Sequence, residues 1–100
     1  MSVLYIVNTS ATENLKRGLQ RLTSHDALLL IESAVMVVNS GHQAETILSE
    51  SSADKNIYVL EPDLLARGIQ LSDQLRTIQR IDYDGFVRLA VAHDLSCHLK

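Results

Sequence analysis

The chain has 100 residues, 46% of them hydrophobic, with one proline, four glycines, one cysteine and a formal net charge of −3. That length gives a single domain over 1–100 and leaves no room for a second core or a linker. Lys and Arg are scattered, with no basic run longer than Lys16-Arg17, which excludes direct nucleic-acid binding, and no apolar run nears the roughly 20 residues that cross a bilayer.

Met1-Ser2-Val3-Leu4-Tyr5 lacks the positively charged start of a secretory signal, and the lone Cys97 has no internal disulfide partner. Both features fit a reducing cytoplasm. The first element is the apolar run Val3-Leu4-Tyr5-Ile6-Val7, bounded by polar residues as a strand buried on both faces should be. A helix follows. Ala11, Leu15, Leu19 and Leu22 form its apolar stripe, and Ser10 with Glu13 has the spacing of a capping box.

Ala27-Leu28-Leu29-Leu30-Ile31 reads as a second buried strand. Ala34 to Val38 suggest a short helix, Asn39-Ser40-Gly41 a turn, and Ala44, Ile47 and Leu48 a further helix before the third strand, Ile57-Tyr58-Val59-Leu60. Pro62 then sits at a first helical position and Gly68 where that helix would end, so a helix is expected from Pro62 to Arg67, with Leu64 and Leu65 inward. A weaker strand, Thr77 to Asp82, belongs at a sheet edge. Asp84 is expected to cap a last helix carrying Phe86, Val87, Ala90 and Val91 on one face. The alternation implies an α/β protein of three layers: a mostly parallel, open sheet of four or five strands with helices on both faces, flavodoxin-like in class.

In such sheets ligands bind beyond the carboxyl ends of the strands, here Asn8-Thr9-Ser10, Glu32-Ser33, Glu61-Pro62-Asp63 and Asp82-Tyr83-Asp84. Three of these four corners carry carboxylates and none has a glycine-rich loop, so a phosphate meets repulsion and no nucleotide or flavin cofactor is expected. Asp63 and Asp84 are explained by the helix dipole and by capping, whereas Glu32 and Glu61 have no such account. His93 and Cys97 are four apart, a helical spacing for two metal ligands, but two ligands do not close a site and none is assigned. His25 and His42 read as surface imidazoles in polar loops. Cys97 is the one persulfide candidate, on a terminal segment beside His98, without an activating set around it. The closely spaced Leu, Ile, Val and Ala exceed what a small domain hides, and the surplus reads as partner surface.

The segments MSVLYIVN, Tyr58-Val59-Leu60-Glu61-Pro62-Asp63-Leu64-Leu65-Ala66-Arg67-Gly68 and Ile81-Asp82-Tyr83-Asp84-Gly85-Phe86-Val87-Arg88-Leu89, with the strand Ala27 to Glu32, resemble the TusB/DsrH family over nearly the whole chain. The resemblance implies a subunit of a sulfur-relay complex, a heterohexamer with homologous small α/β subunits of the C and D type. In the Tus branch, persulfide sulfur received from a sulfur-carrier protein passes through the complex towards 2-thiouridine at the tRNA wobble position. In the Dsr branch, related complexes serve sulfur oxidation. The family implies that the persulfide cysteine of the Tus complex belongs to the D-type subunit. Some DsrH members carry a cysteine in the first helix, near the place that Gly18 holds here, so the expected role is non-catalytic. The alternatives are a sulfur carrier using Cys97 and a DsrH-like subunit in sulfur oxidation. Candidate partner-interface residues are Arg67, Gly68, Tyr83, Phe86 and Arg88, and the isolated chain could form a homo-oligomer.

Overall fold

The computed structural model describes residues 1–39, 42, 44–52 and 54–99, with all their side chains except those of Glu45, Ser52 and Gln74. Strand β1 (Val3–Val7) leads to helix α1 (Thr12–Arg21), then β2 (Ala27–Leu30), a 3-10 helix (Glu32–Val38) and α2 (Glu45–Ser52). Next come β3 (Ile57–Leu60), α3 (Glu61–Ala66), a 3-10 turn (Asp73–Leu75), β4 (Gln79–Ile81), α4 (Tyr83–Ala92) and β5 (Leu95–Leu99). All five strands are parallel, in the order β4-β3-β2-β1-β5. The expected α/β architecture is therefore present, with a fifth strand at the end of the chain.

The connections decide where the layers lie. From β1 through β2 and β3 to β4 the chain steps always in the same direction across the sheet, so right-handed crossovers put every intervening helix on one face. The step from β4 to β5 runs back past three strands and puts α4 on the other. Register and packing agree. Val7, Leu28, Leu30, Ile57 and Val59 face Leu15, Leu19, Val35, Leu48 and Leu64 in the larger core. Leu4, Ile6, Leu29 and Leu60 face Phe86, Leu89 and Ala90 of α4 in the smaller one.

Several local expectations are corrected. Helix α1 starts at Thr12 after Ala11, which makes no side-chain cap, so the Ser10 and Glu13 box does not form. Its stripe is Leu15, Leu19 and Leu22, while Ala11 is exposed. The last helix is capped by Asp82, whose Oδ1 accepts from the Gly85 amide at 2.9 Å, and Asp84 lies in the first turn. In α3 only Leu64 is buried; Leu65 is 74% exposed, because a helix of six residues turns a single apolar position onto the sheet. Phe86 and Ala90 face the sheet, but Val87 and Val91 do not. Gly68 does end its helix, at φ 64°, a conformation that a Cβ would strain. Ser40 and Gly41 of the expected turn lie outside the described residues; Asn39 bridges to Leu71.

Two carboxylates pin the amino ends of the strands. Asp26, nearly fully buried, accepts from the Val3 amide at 2.9 Å and from the Thr23 amide and hydroxyl at 3.0 Å each. Burial raises its pKa, but the Thr23 and Val3 amides and the Thr23 hydroxyl outweigh it and hold the carboxyl below the usual value. Asp94 Oδ2 accepts from the Ser2 amide at 2.8 Å and the Ser2 carbonyl accepts from the Asp94 amide at 3.0 Å, seating β5 beside β1. The Ser2 amide is the main cause of a lowered Asp94 pKa.

Candidate functional site

The four corners expected to form a ligand edge do lie at the carboxyl ends of the strands, and two hydrogen bonds join neighbouring corners. The Asp63 Oδ2 accepts from the Glu32 amide at 2.6 Å, tying the corner after β2 to the corner after β3. Ser33 Oγ donates to the Asn8 carbonyl at 3.1 Å. Glu61 lies 3.6 Å from the Arg80 guanidinium across the β3/β4 pair, an exposed contact of small energetic weight. Glu32 has φ 52°, the left-handed region that a side chain ordinarily avoids at a cost of about 1 kcal/mol. Nothing in the sequence signals that strain; the Asp63 carboxylate holds the amide that makes it possible.

Beyond β4 a shallow hollow of about 330 Å³ is lined by Glu61, Arg80, Asp82, Asp84 and Arg88. Carboxylates and guanidiniums are interleaved there. Among the described residues, no group of three His, Cys, Asp or Glu side chains is placed to hold a metal ion. No helix among them is long and apolar enough to cross a membrane.

The structure divides the interface candidates between two faces. Arg67 and Gly68 close α3 on the face of the larger core, whereas Tyr83, Phe86 and Arg88 lie on α4 across the sheet. Phe86 packs on the smaller core, while Tyr83 and Arg88 point away from it. Tyr83, Val87 and Val91 recur at helical spacing, 60%, 61% and 81% exposed, and form an uncovered apolar stripe along α4. No residue of α4 is fully buried.

Cys97 is not on a mobile tail. It sits in β5, half-buried, registered against Tyr5 and packed beside the larger core. The two-residue period of a strand sends His98 to the opposite face, so that imidazole does not sit beside the thiol. His93 ends α4, with Nδ1 2.8 Å from the Leu89 carbonyl, and shares no helix with Cys97. Pairing of this segment with β1 holds Cys97 in the sheet and takes it out of the helical spacing with His93. In α1, Gly18 is buried where the helix crosses β2 and β5; a Cβ there would lie 2.7 Å from Leu28 Cδ1 and 2.8 Å from Leu99 Cδ1. A side chain there would have to displace the ends of these two leucines.

Comparison with known proteins decides the family. The family described as DsrH like protein matches residues 9–96. The chain belongs to the DsrH family. Within it, Protein TusB of Yersinia enterocolitica is 35% identical over 77 residues, 75% of this chain and 76% of that protein. Protein TusB of Salmonella gallinarum is 38% identical over the same shares. Among solved structures, the DsrH-family chain is similar to MTH1491 of Methanobacterium thermoautotrophicum, a protein of unknown function, with a TM-score of 0.78 over 97% of both chains at 13% identity. It is similar to Tm0979 of Thermotoga maritima, with a TM-score of 0.57 over 91% of this chain and 92% of that one, at 22% identity. These two likenesses support the fold alone.

Proposed function

We propose that this DsrH-family chain is a non-catalytic subunit of a cytoplasmic sulfur-relay assembly. Covered by sister subunits of the C and D type, it supports persulfide transfer towards 2-thiouridine at the tRNA wobble position. The observation that carries the reading is the identity with proteins named TusB over three quarters of the chain. The chemistry at two positions supports a supporting role. At position 18, where some relatives are expected to hold a relay thiol, this chain has glycine, with Leu28 and Leu99 packed against it. At Cys97 the thiol is fixed in a strand, without the reach of a swinging arm between two partners.

A persulfide needs shelter from water and stray thiols, and a subunit can supply walls for that shelter without contributing a reacting atom. The apolar stripe Tyr83, Val87 and Val91, with Arg88 beside it, is the surface assigned to a sister subunit. Arg67 and Gly68 on the opposite face are a separate second contact. The test is to load the purified assembly from a persulfide donor and map the added sulfur by mass spectrometry. The gain of about 32 Da is expected on a sister chain and not on Cys97. Sulfur accumulating on Cys97 would replace this reading with that of a carrier.

A further inference from the structure

At the amino end of the sheet, away from the four corners, a hollow of about 220 Å³ opens between α1 and α2. It is lined by Lys16, Leu19 and Gln20 of α1, Ile47 and Ser51 of α2, and Lys55 from the loop before β3. We propose that this hollow binds a small carboxylate with a short aliphatic body, its head between the Lys16 and Lys55 ammoniums and its body on Leu19 and Ile47. The inference does not rest on the sulfur-relay reading.

Charge is the first argument. The chain is acidic overall and has three lysines, yet two of the three stand in this hollow. Its described lining residues include no carboxylate, and among the described residues neither lysine forms an ion pair. The hollow beyond β4, by contrast, matches its arginines with acids. Two like charges beside one apolar floor repel each other, and an anion between them turns that repulsion into attraction. Lys55 is also held in place: its Nζ donates to the Leu19 carbonyl at 2.7 Å. That carbonyl lies in the last turn of α1, where the helix supplies no donor of its own, and the Thr23 amide that would continue the helix is taken by Asp26. The bond therefore closes the helix end and fixes the ammonium at the rim, with two of its three protons left for a ligand. Lys16 stands three residues before Leu19 and so shares its face of α1.

The floor and the size narrow the class of ligand. Leu19 is buried and Ile47 half-buried, both packed in the larger core, so the apolar floor is fixed by the fold. An inorganic anion would leave that floor to water, and a neutral apolar molecule would leave the ammoniums unmatched. A volume of 220 Å³ is the share of about seven waters, which suits a carboxylic acid of about six carbons. It falls short of the roughly 300–1,000 Å³ that larger ligands such as nucleotides need. The Ser51 hydroxyl and the Gln20 amide, with no hydrogen bond of their own among the described residues, add uncharged donors at the rim.

The test titrates the purified full chain with sodium hexanoate at low ionic strength and follows the backbone amides by NMR. Shifts at Lys16, Leu19, Ile47, Ser51 and Lys55 should saturate together with a Kd of about 1 mM, the affinity expected of about eight non-hydrogen atoms, and should weaken as salt is added. Acetate and inorganic phosphate lack the aliphatic body and hexanol lacks the charge, so each should bind about tenfold more weakly or worse. Lys16→Glu reverses an exposed charge that the fold does not use, and should weaken hexanoate about tenfold while leaving hexanol unchanged. Lys55→Gln should weaken hexanoate by a similar factor. Shifts that never saturate, hexanol bound as tightly as hexanoate, or hexanoate bound as tightly by Lys16→Glu overturns the proposal. Acetate or phosphate bound as tightly as hexanoate also overturns it, since the hollow would then read an anionic head alone, as on an acidic side chain of a partner protein. Should Lys55→Gln fail to fold by circular dichroism, Lys16→Glu and the comparison of ligands decide alone.

Discussion

Replacing Asp26 tests what holds the amino end of the sheet together. Its carboxylate is the shared acceptor for two backbone amides, Val3 at the start of β1 and Thr23 in the loop before β2, and for the Thr23 hydroxyl. Asp26→Ala leaves both amides without that acceptor in a part-buried place. At about 1–3 kcal/mol for each orphaned donor, less what entering water recovers, the loss should be roughly 2–4 kcal/mol. For a domain of this size that lowers the melting temperature by about 10–25 °C. Asp26→Asn should lose nearly as much, since its NH2 group turns a donor towards a donor. Urea unfolding followed by circular dichroism at neutral pH measures the difference, with an unchanged slope showing that stability alone has moved. The pH dependence has a definite sign. The folded pKa of Asp26 lies below its ordinary 3.8, so the carboxylate contributes stability above that value and loses it as the pH falls through the folded pKa. The wild type should therefore converge on Asp26→Asn in acid. A variant within about 0.5 kcal/mol of the wild type at neutral pH, a change no larger than an ordinary surface substitution makes, would refute the reasoning.

Two further pairs of substitutions separate neighbours that look alike in the sequence. Leu64→Ala should destabilise by about 2–4 kcal/mol in urea unfolding, while Leu65→Ala should stay within about 0.5 kcal/mol, because only Leu64 reaches the core. Asp82→Ala removes the cap of α4 and should lower stability by about 1 kcal/mol, whereas Asp84→Ala should change it by a few tenths. Equal effects within either pair would contradict the packing described.

The first three strands were legible because each is a short aliphatic run buried on both faces, a pattern that loops and amphipathic helices do not share. Strand β5 was not. Leu95, Cys97 and Leu99 alternate with Ser96 and His98, the period of a half-buried edge strand, but the spacing of His93 and Cys97 reads equally as helix. Pairing with β1, held by Ser2 and Asp94 from the far ends of the chain, settles that competition, and a contact between residues 92 apart leaves no local trace. The last helix misled for another reason: Tyr83, Phe86, Val87, Leu89, Ala90, Val91 and Ala92 spread its apolar residues over more than half of the helix circumference. Only the single crossover to the second face decides that Phe86, Leu89 and Ala90 turn inward and the rest outward. Capping failed at Ser10 and slipped from Asp84 to Asp82, since several short polar residues stand before each helix and backbone geometry selects among them. The four corners do lie at the carboxyl ends of the strands, but the bonds between them, above all Glu32 with Asp63, depend on side-chain reach that sequence order does not carry.

The claim on which the functional account turns is that this subunit is required for sulfur transfer while its own thiol is not. Its most direct measure is the 2-thiouridine content of cellular tRNA, determined by mass spectrometry of digested nucleosides in cells expressing the wild type, Cys97→Ser or no copy of the chain. Thiolation should be at the wild-type level with Cys97→Ser and lost without the chain; loss with Cys97→Ser at normal protein abundance, or full thiolation without the chain, would contradict the account.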